Sequence, residues 1–228
     1  MNRLSIFTRL ISCHILIILL AILIFSVPSA AQGPQEEFNR AVDIFSNGQA
    51  HYNVADFRGA IEKWEAALAI FQKLEQKQAI GVAVANMGVA YNDLGDYRKA
   101  ISYHEQALAI AEEIGDKLGK NQRLGNLGNT YYSLGDYRKA IYFSEKALAI
   151  ANEVGDKLGK GNHIGNLGNA YYSLGDYHKA IRYYDQALVI AEEIEDKKGK
   201  SQRLGNLGSA YYSLGDYRKA ISYHEQAL

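Results

Sequence analysis

Leu124-Gly125-Asn126-Leu127-Gly128-Asn129-Thr130-Tyr131-Tyr132-Ser133-Leu134-Gly135-Asp136-Tyr137-Arg138-Lys139-Ala140 decides the fold, because it holds both sides of a tight turn and it recurs. Its triplet Gly135-Asp136-Tyr137 returns at 95–97, 175–177 and 215–217, a period of 40 residues, and Ala55-Asp56-Phe57 is a degenerate copy one period earlier. A fixed period of this length marks an array of stacked supersecondary units. Within the quoted unit Leu124, Leu127, Tyr131 and Leu134 stand three or four apart, predicting the apolar stripe of a first helix, helix A. Gly135 offers the left-handed residue that ends it, and Asp136 a carboxylate to cap the next. Helix B then turns Tyr137, Ala140, Ile141, Ala147, Leu148, Ile150 and Ala151 inward, and Gly155-Asp156 repeats the stop-and-start device. A strand is excluded, since the stripe has no two-residue alternation and runs too long.

Glycine inside a helix costs about 1 kcal/mol relative to alanine, so Leu-Gly-Asn-Leu-Gly-Asn requires a packing reason. Gly128, Gly168 and Gly208 are expected where a neighbouring helix comes close, with Ala140, Ala180 and Ala220 as the small partners opposite. The wider composition agrees with long helices: 17 Tyr and 21 Gly but only 2 Pro in 228 residues. With 25 basic and 25 acidic residues scattered along the chain, no basic stripe exists for phosphate contacts, and nucleic acid is excluded as a partner. Cys13, the only cysteine, leaves no disulfide for the rest of the chain.

The first 31 residues read as a signal peptide: Arg3 and Arg9 are followed by the apolar run Ile15 to Phe25 and the small-residue stretch Pro28-Ser29-Ala30-Ala31. This predicts export to the periplasm or extracellular space; the alternative is a membrane anchor formed by residues 11–27. No other membrane insertion is expected. The remainder, 32–228, divides into units 36–75, 76–120, 121–160, 161–200 and an incomplete 201–228.

The recurring order Leu127-Gly128, Tyr131, Ala140, Ala147, repeated as Leu167-Gly168, Tyr171, Ala180, Ala187, resembles the tetratricopeptide repeat signature. The period departs from the usual 34 residues of that family and is similar to the longer variety of kinesin light chains and spindle-orientation adaptors. The proline that usually closes helix B is replaced by Glu112, Asn152 and Glu192, which predicts a longer helix B. The resemblance implies an all-α, right-handed superhelical solenoid of antiparallel helix pairs, with helix A on the concave side and helix B on the convex side. It further implies a non-catalytic scaffold that binds a protein or peptide in the concave groove, without a cofactor. Gly-Asn-Leu-Gly-Asn repeats of this kind also resemble the N-terminal sensor regions of bacterial, particularly cyanobacterial, caspase-like proteins, so a regulatory fragment of such a protein is an alternative.

Helix geometry selects the groove-facing positions, three or four apart and off the packed stripe. In the third unit they are Gln122, Gly125, Asn126, Asn129, Tyr132 and Ser133; in the fourth, Asn162, Asn166, Asn169, Tyr172 and Ser173; in the fifth, Gln202, Asn206, Ser209, Tyr212 and Ser213. The binding candidates are Asn126, Asn129, Tyr132, Asn166, Asn169, Tyr172, Asn206 and Tyr212. Asparagine offers a donor and an acceptor together, which suits the backbone of an extended peptide. With helix axes about 10 Å apart and about 3.3 Å per extended residue, one repeat would read about three peptide residues. Two readings compete with peptide recognition: the asparagines bridge adjacent helices, or the Asn/Tyr surface binds carbohydrate.

More specific chemistries fail on the residues. The clamp by which some tetratricopeptide domains hold a C-terminal carboxylate needs lysine and arginine where this chain has Gln122, Gly125, Asn162, Gly165 and Asn166. Gly199-Lys200-Ser201 lacks the first glycine of a phosphate loop, since Ile194 stands there. His51, His104, His163, His178 and His224 have no metal-ligand spacing; His104 and His224 share a helix B position where an aromatic packs. The last unit would leave Tyr211, Leu214, Tyr217, Ala220, Ile221 and Leu228 as an open edge. The chain is then either a piece of a longer protein or self-associates through that edge.

Overall fold

The computed structural model describes residues 32–228, in which ten helices and no strand occur. The signal peptide or anchor lies outside these residues, and no described helix is long and apolar enough to cross a membrane. The helices are α1 (Gln32–Asn53), α2 (Phe57–Lys73), α3 (Lys77–Asp93), α4 (Tyr97–Glu113), α5 (Lys117–Ser133), α6 (Tyr137–Val154), α7 (Lys157–Ser173), α8 (Tyr177–Glu193), α9 (Lys197–Ser213) and α10 (Tyr217–Gln226). Odd-numbered helices play the part of helix A, even-numbered ones of helix B. Contacts separate a first unit ending at Ala83 from a second, Val84–Leu228.

The turns follow from the sequence residue by residue. Gly135 takes φ +86°, a conformation that only glycine adopts without a Cβ penalty, and Asp136 Oδ1 accepts the Lys139 amide at 3.1 Å. Gly155 at φ +72° and Asp156, accepting the Gly159 amide at 2.8 Å, do the same between α6 and α7. Where the period has drifted, Ala55, Glu75 and Glu195 hold positive φ without being glycine, at 63°, 53° and 55°. The turn geometry is thus retained even where its preferred residue is lost.

In the first unit α1 and α2 pack through aromatic rings. Trp64 is 1% exposed, its indole Nε1 donates to the Phe45 carbonyl at 3.2 Å, and Phe45, Tyr52 and Phe71 surround this cluster. In the second unit each helix packs on its sequence neighbours, and the A helices α5, α7 and α9 also touch in succession. The core of that unit is built from small residues and leucines: Ala140, Ala147, Ala151, Leu127, Leu167 and Leu207 are buried. Leu134, assigned to the stripe by spacing, is 45% exposed, because it falls on the C-cap of α5 rather than within the helix. Ala220, assigned to an open edge, is 2% exposed, whereas Tyr217 and Ile221 on α10 are 58% and 60% exposed.

One motif repeats four times across the second unit. Tyr131 stacks on Phe143 at 5.2 Å and 2°, and the Lys139 ammonium lies 4.9 Å from the Tyr131 ring. Tyr91/Tyr103 with Lys99, Tyr171/Tyr183 with Lys179 and Tyr211/Tyr223 with Lys219 are built alike. The first tyrosine of each pair therefore ties helix A to helix B and carries a cation on its face.

Candidate interaction surface

The candidate residues lie on α5, α7 and α9, and hydrogen bonds join many of them into rows running from one A helix to the next. Asn166 Nδ2 donates to Asn129 Oδ1 at 2.7 Å, and Asn206 Nδ2 donates to Asn169 Oδ1 at 3.2 Å. Ser173 donates to the Tyr132 hydroxyl at 3.1 Å, and the Tyr172 hydroxyl and Ser213 Oγ pair at 3.0 Å. Helix-to-helix bridging, one of the readings open from sequence, is thus part of what these asparagines do. It leaves capacity unspent, since an amide side chain has two donor hydrogens and two acceptor lone pairs.

Exposure varies along the rows. Asn129 and Tyr212 are exposed, while Asn126, Tyr132, Asn166, Asn169, Tyr172 and Asn206 are half-buried. Tyr132 and Tyr172 lean on Tyr137 and Tyr177 at 5.5 and 5.3 Å, and Tyr212, 64% exposed, stands beside Tyr217 at 5.2 Å. Gly125, placed by helical spacing on the open face, is buried: a Cβ there would lie 2.6 Å from His163 Cε1.

The two glycines of Leu-Gly-Asn-Leu-Gly-Asn serve different neighbours. The second faces helix B of its own pair, but its partner is not the expected alanine. A Cβ on Gly168 would meet the Tyr184 ring at 2.5 Å, and one on Gly208 the His224 ring at 2.7 Å. Gly88 and Gly48 face His104 and Trp64 in the same way, each at 2.6 Å. Ala140 contributes to the surroundings of Gly128 only its carbonyl oxygen, at 3.4 Å, behind Ser144 Oγ at 2.8 Å. The glycine thus makes room for a side chain one helical turn further along helix B than the alanine.

The first glycine receives a side chain from the following A helix. His163 covers Gly125, and the Arg203 guanidinium covers Gly165 with Cζ 2.3 Å from a Cβ built there. Sequence reading missed these groups because it searched the exposed positions for cations. The signal was present as a basic residue two positions before the glycine, at Arg123, His163 and Arg203. Arg203, 5% exposed, donates to Asn162 Oδ1 at 3.4 Å. Desolvation by burial lowers the affinity of Arg123 and of Arg203 for their protons, partly offset for Arg203 by Tyr184 and Asp196.

His163 sits in a relay between two A helices. Asn121 Nδ2 donates to Asp156 Oδ2 at 2.9 Å, which turns Asn121 Oδ1 toward His163 Nε2 at 2.8 Å. The imidazole therefore carries its proton on Nε2, and the buried Nδ1 is left without a partner. Burial lowers the His163 pKa, with Asp156 opposing. His104, 1% exposed with Nδ1 also unpartnered, is held at about 4 by desolvation and then by the charge of Arg123. Both are neutral at physiological pH. Among the described residues no group of His, Cys, Asp and Glu is arranged to hold a metal ion.

Similarity to known proteins accords with this geometry. The tetratricopeptide repeat model matches residues 46–113, 78–153 and 161–228, well over half of the chain. Among solved structures, BtubC from P. vanneervenii is 24% identical with a TM-score of 0.75, covering 87% of this chain and 82% of that one. A putative kinesin light chain of Podospora anserina with nearly identical tetratricopeptide-like repeats is 19% identical with a TM-score of 0.69, over 83% and 93%. Aspartyl phosphate phosphatase F of Bacillus subtilis is 20% identical with a TM-score of 0.77, over 87% of this chain and 51% of that one, so the chain spans about half its length. No curated protein matches the sequence. With the repeat model matched over most of its length and the helix pairs packed through the glycine slots, this chain belongs to the tetratricopeptide repeat family.

Proposed function

We propose that the chain is a non-catalytic scaffold that binds an extended peptide, or an extended segment of a protein, along the row of A helices. The observation that carries this reading is the regular Asn/Tyr/Ser surface of α5, α7 and α9, whose side chains are pre-positioned by bonds such as Asn166 to Asn129 and Ser173 to Tyr132. Holding these groups in place before a ligand arrives reduces the entropy lost on binding. The unspent donors and acceptors of Asn166 and Asn206 suit a peptide backbone, and Tyr212 offers flat contact area. A Rap protein solved with competence and sporulation factor and a plasmid-encoded Rap regulator solved with a Phr* peptide share the fold, each 19–21% identical with a TM-score of 0.71. Export follows from the N-terminal apolar run, and N-terminal sequencing of secreted protein should begin at Gln32.

The test is titration of the chain with a library of extended peptides and, separately, with oligosaccharides. Peptide binding that falls about tenfold or more in the combined Asn126→Ala, Asn166→Ala, Asn206→Ala variant supports the reading, three lost hydrogen bonds being worth at least that. Peptide affinity indifferent to those changes, or binding of oligosaccharide alone, would remove it.

A further inference from the structure

In each helix pair of the second unit, the residue sixteen positions after the second glycine fills the space above that glycine: His104 over Gly88, Ser144 over Gly128, Tyr184 over Gly168, His224 over Gly208. Ser144 is the small one. Beside it lies a cavity of about 200 Å³, lined by Gly128, Asn129, Tyr132 and Ser144 of the third pair and by Asn166 and Asn169 of α7.

The following pair shows what such a space accommodates. Tyr184 lies across Gly168, is 3% exposed, and its hydroxyl donates to Asn169 Oδ1 at 2.9 Å. The same Asn169 Oδ1 also accepts from Asn206 Nδ2 at 3.2 Å, so both of its lone pairs are used. In the third pair Asn129 holds the position of Asn169, and its Oδ1 accepts from Asn166 at 2.7 Å, leaving one lone pair for a further donor. The amide acceptor is not found where histidine fills the slot, since the position of Asn129 is there taken by Val89 and Ser209. Asn129 is exposed, so this end of the cavity is open to a ligand.

We propose that the slot above Gly128 binds the phenol ring of a tyrosine side chain of a partner polypeptide, its hydroxyl donating to Asn129 Oδ1 as Tyr184 donates to Asn169. This rests on the peptide-binding reading for the carrier of the ring, but the ring itself can be tested alone. Phenylalanine would fill the space and leave the acceptor unmet.

The experiment is an NMR titration of the chain with N-acetyl-L-tyrosinamide, with the phenylalanine and histidine analogues as comparators. Saturable shifts are expected at Gly128, Asn129 and Ser144, with tyrosinamide bound about fivefold more tightly than phenylalaninamide, the worth of one hydrogen bond. Asn129→Ala should erase that preference. Ser144→Tyr should fill the slot and remove the shifts while the chain stays folded; should it not fold, Ser144→His, the occupant of two other pairs, takes its place. Absence of saturable shifts, shifts that survive filling of the slot, or equal binding of the phenylalanine analogue would overturn the proposal. Extended peptides that bind without shifts at the slot would remove the slot alone. Shifts with tyrosinamide and no peptide binding would remove the scaffold reading and leave the slot.

Discussion

The third and fourth helix pairs share the turn between their two helices residue for residue, yet differ in what packs over their helix A glycines. In both pairs a glycine at positive φ is followed by an aspartate that caps helix B, with Asp136 and Asp176 accepting the amide three residues on at 3.1 Å. Between the helices, Ser144 leaves a cavity where Tyr184 lies buried across Gly168. At the far side of each A helix, His163 bonded to Asn121 packs on Gly125, whereas Arg203 bonded to Asn162 packs on Gly165. The position of Asn121 is Gly161 one period later, so the histidine's partner is missing there and an arginine takes the space. The turns must satisfy backbone groups that are the same in every copy, and so keep one geometry even where Ala55, Glu75 or Glu195 stands in place of glycine. The slots need only be filled, and any side chain of suitable shape with its polar atoms met can do so.

The most severe way to break this comparison is to empty the filled slot. Tyr184→Ala should lower unfolding free energy by about 3–5 kcal/mol in urea titration, as removal of a buried aromatic ring does. Ser144→Tyr, the reverse exchange in the third pair, should raise it by about 0.5–2 kcal/mol. A Ser144→Tyr chain less stable than the parent would mean that the two slots differ in more than their occupant.

The next effect belongs to the histidine-filled slot. His104 has a folded pKa of about 4 against 6.5 when unfolded, so the unfolded chain takes up a proton first. Its contribution is fully present above the unfolded value, is lost as pH falls from 6.5 toward 4, and changes no further below that. The loss amounts to ~3 kcal/mol, with His163 adding in the same direction. Stability measured against pH should show this fall in the parent and a shallower one in His104→Phe. The capping carboxylates Asp56, Asp176 and Asp216, whose pKa values are lowered chiefly by hydrogen bonds, act only at still lower pH.

Smaller again is the cost of adding a methyl group beneath each occupant. Gly168→Ala places a Cβ 2.5 Å from a ring that has nowhere to move and should cost about 1–3 kcal/mol. Gly128→Ala meets the rotatable Ser144 hydroxyl at 2.8 Å and backbone no nearer than 3.4 Å, and the helix propensity of alanine, about 1 kcal/mol, should offset most of the crowding. Equal thermal midpoints for the two variants would show that the slots are equally tight. The smallest difference concerns the caps: Asp136→Ala should cost about 1 kcal/mol, and Asp156→Ala about 1 kcal/mol more, since it also releases Asn121.

Much of this molecule was legible without coordinates. The stop at Gly135, the cap at Asp136, the apolar positions Leu124, Leu127 and Tyr131 and the inward alanines of helix B all follow from spacing and residue chemistry. The candidate surface was legible only as a set of positions. Its asparagines and tyrosines fell on the A helices as expected, but that Asn129 accepts from Asn166 and Tyr132 from Ser173 was not readable, nor was the burial of Gly125. The expected pairing of Gly128 with Ala140 failed because one helical turn separates the alanine from the residue the glycine admits.

By itself the sequence determined the helix pairs, their 40-residue period, their caps and their family, because each of these rests on neighbours within a turn or two of backbone. Tertiary structure alone decided which occupant each glycine admits, which asparagines bond across repeats and where Arg203 goes. Those contacts join residues 15 to 42 positions apart. Their partners are chosen by the angle and depth at which one helix docks on another, and a shift of one turn in that docking exchanges every pair while leaving the local pattern unchanged.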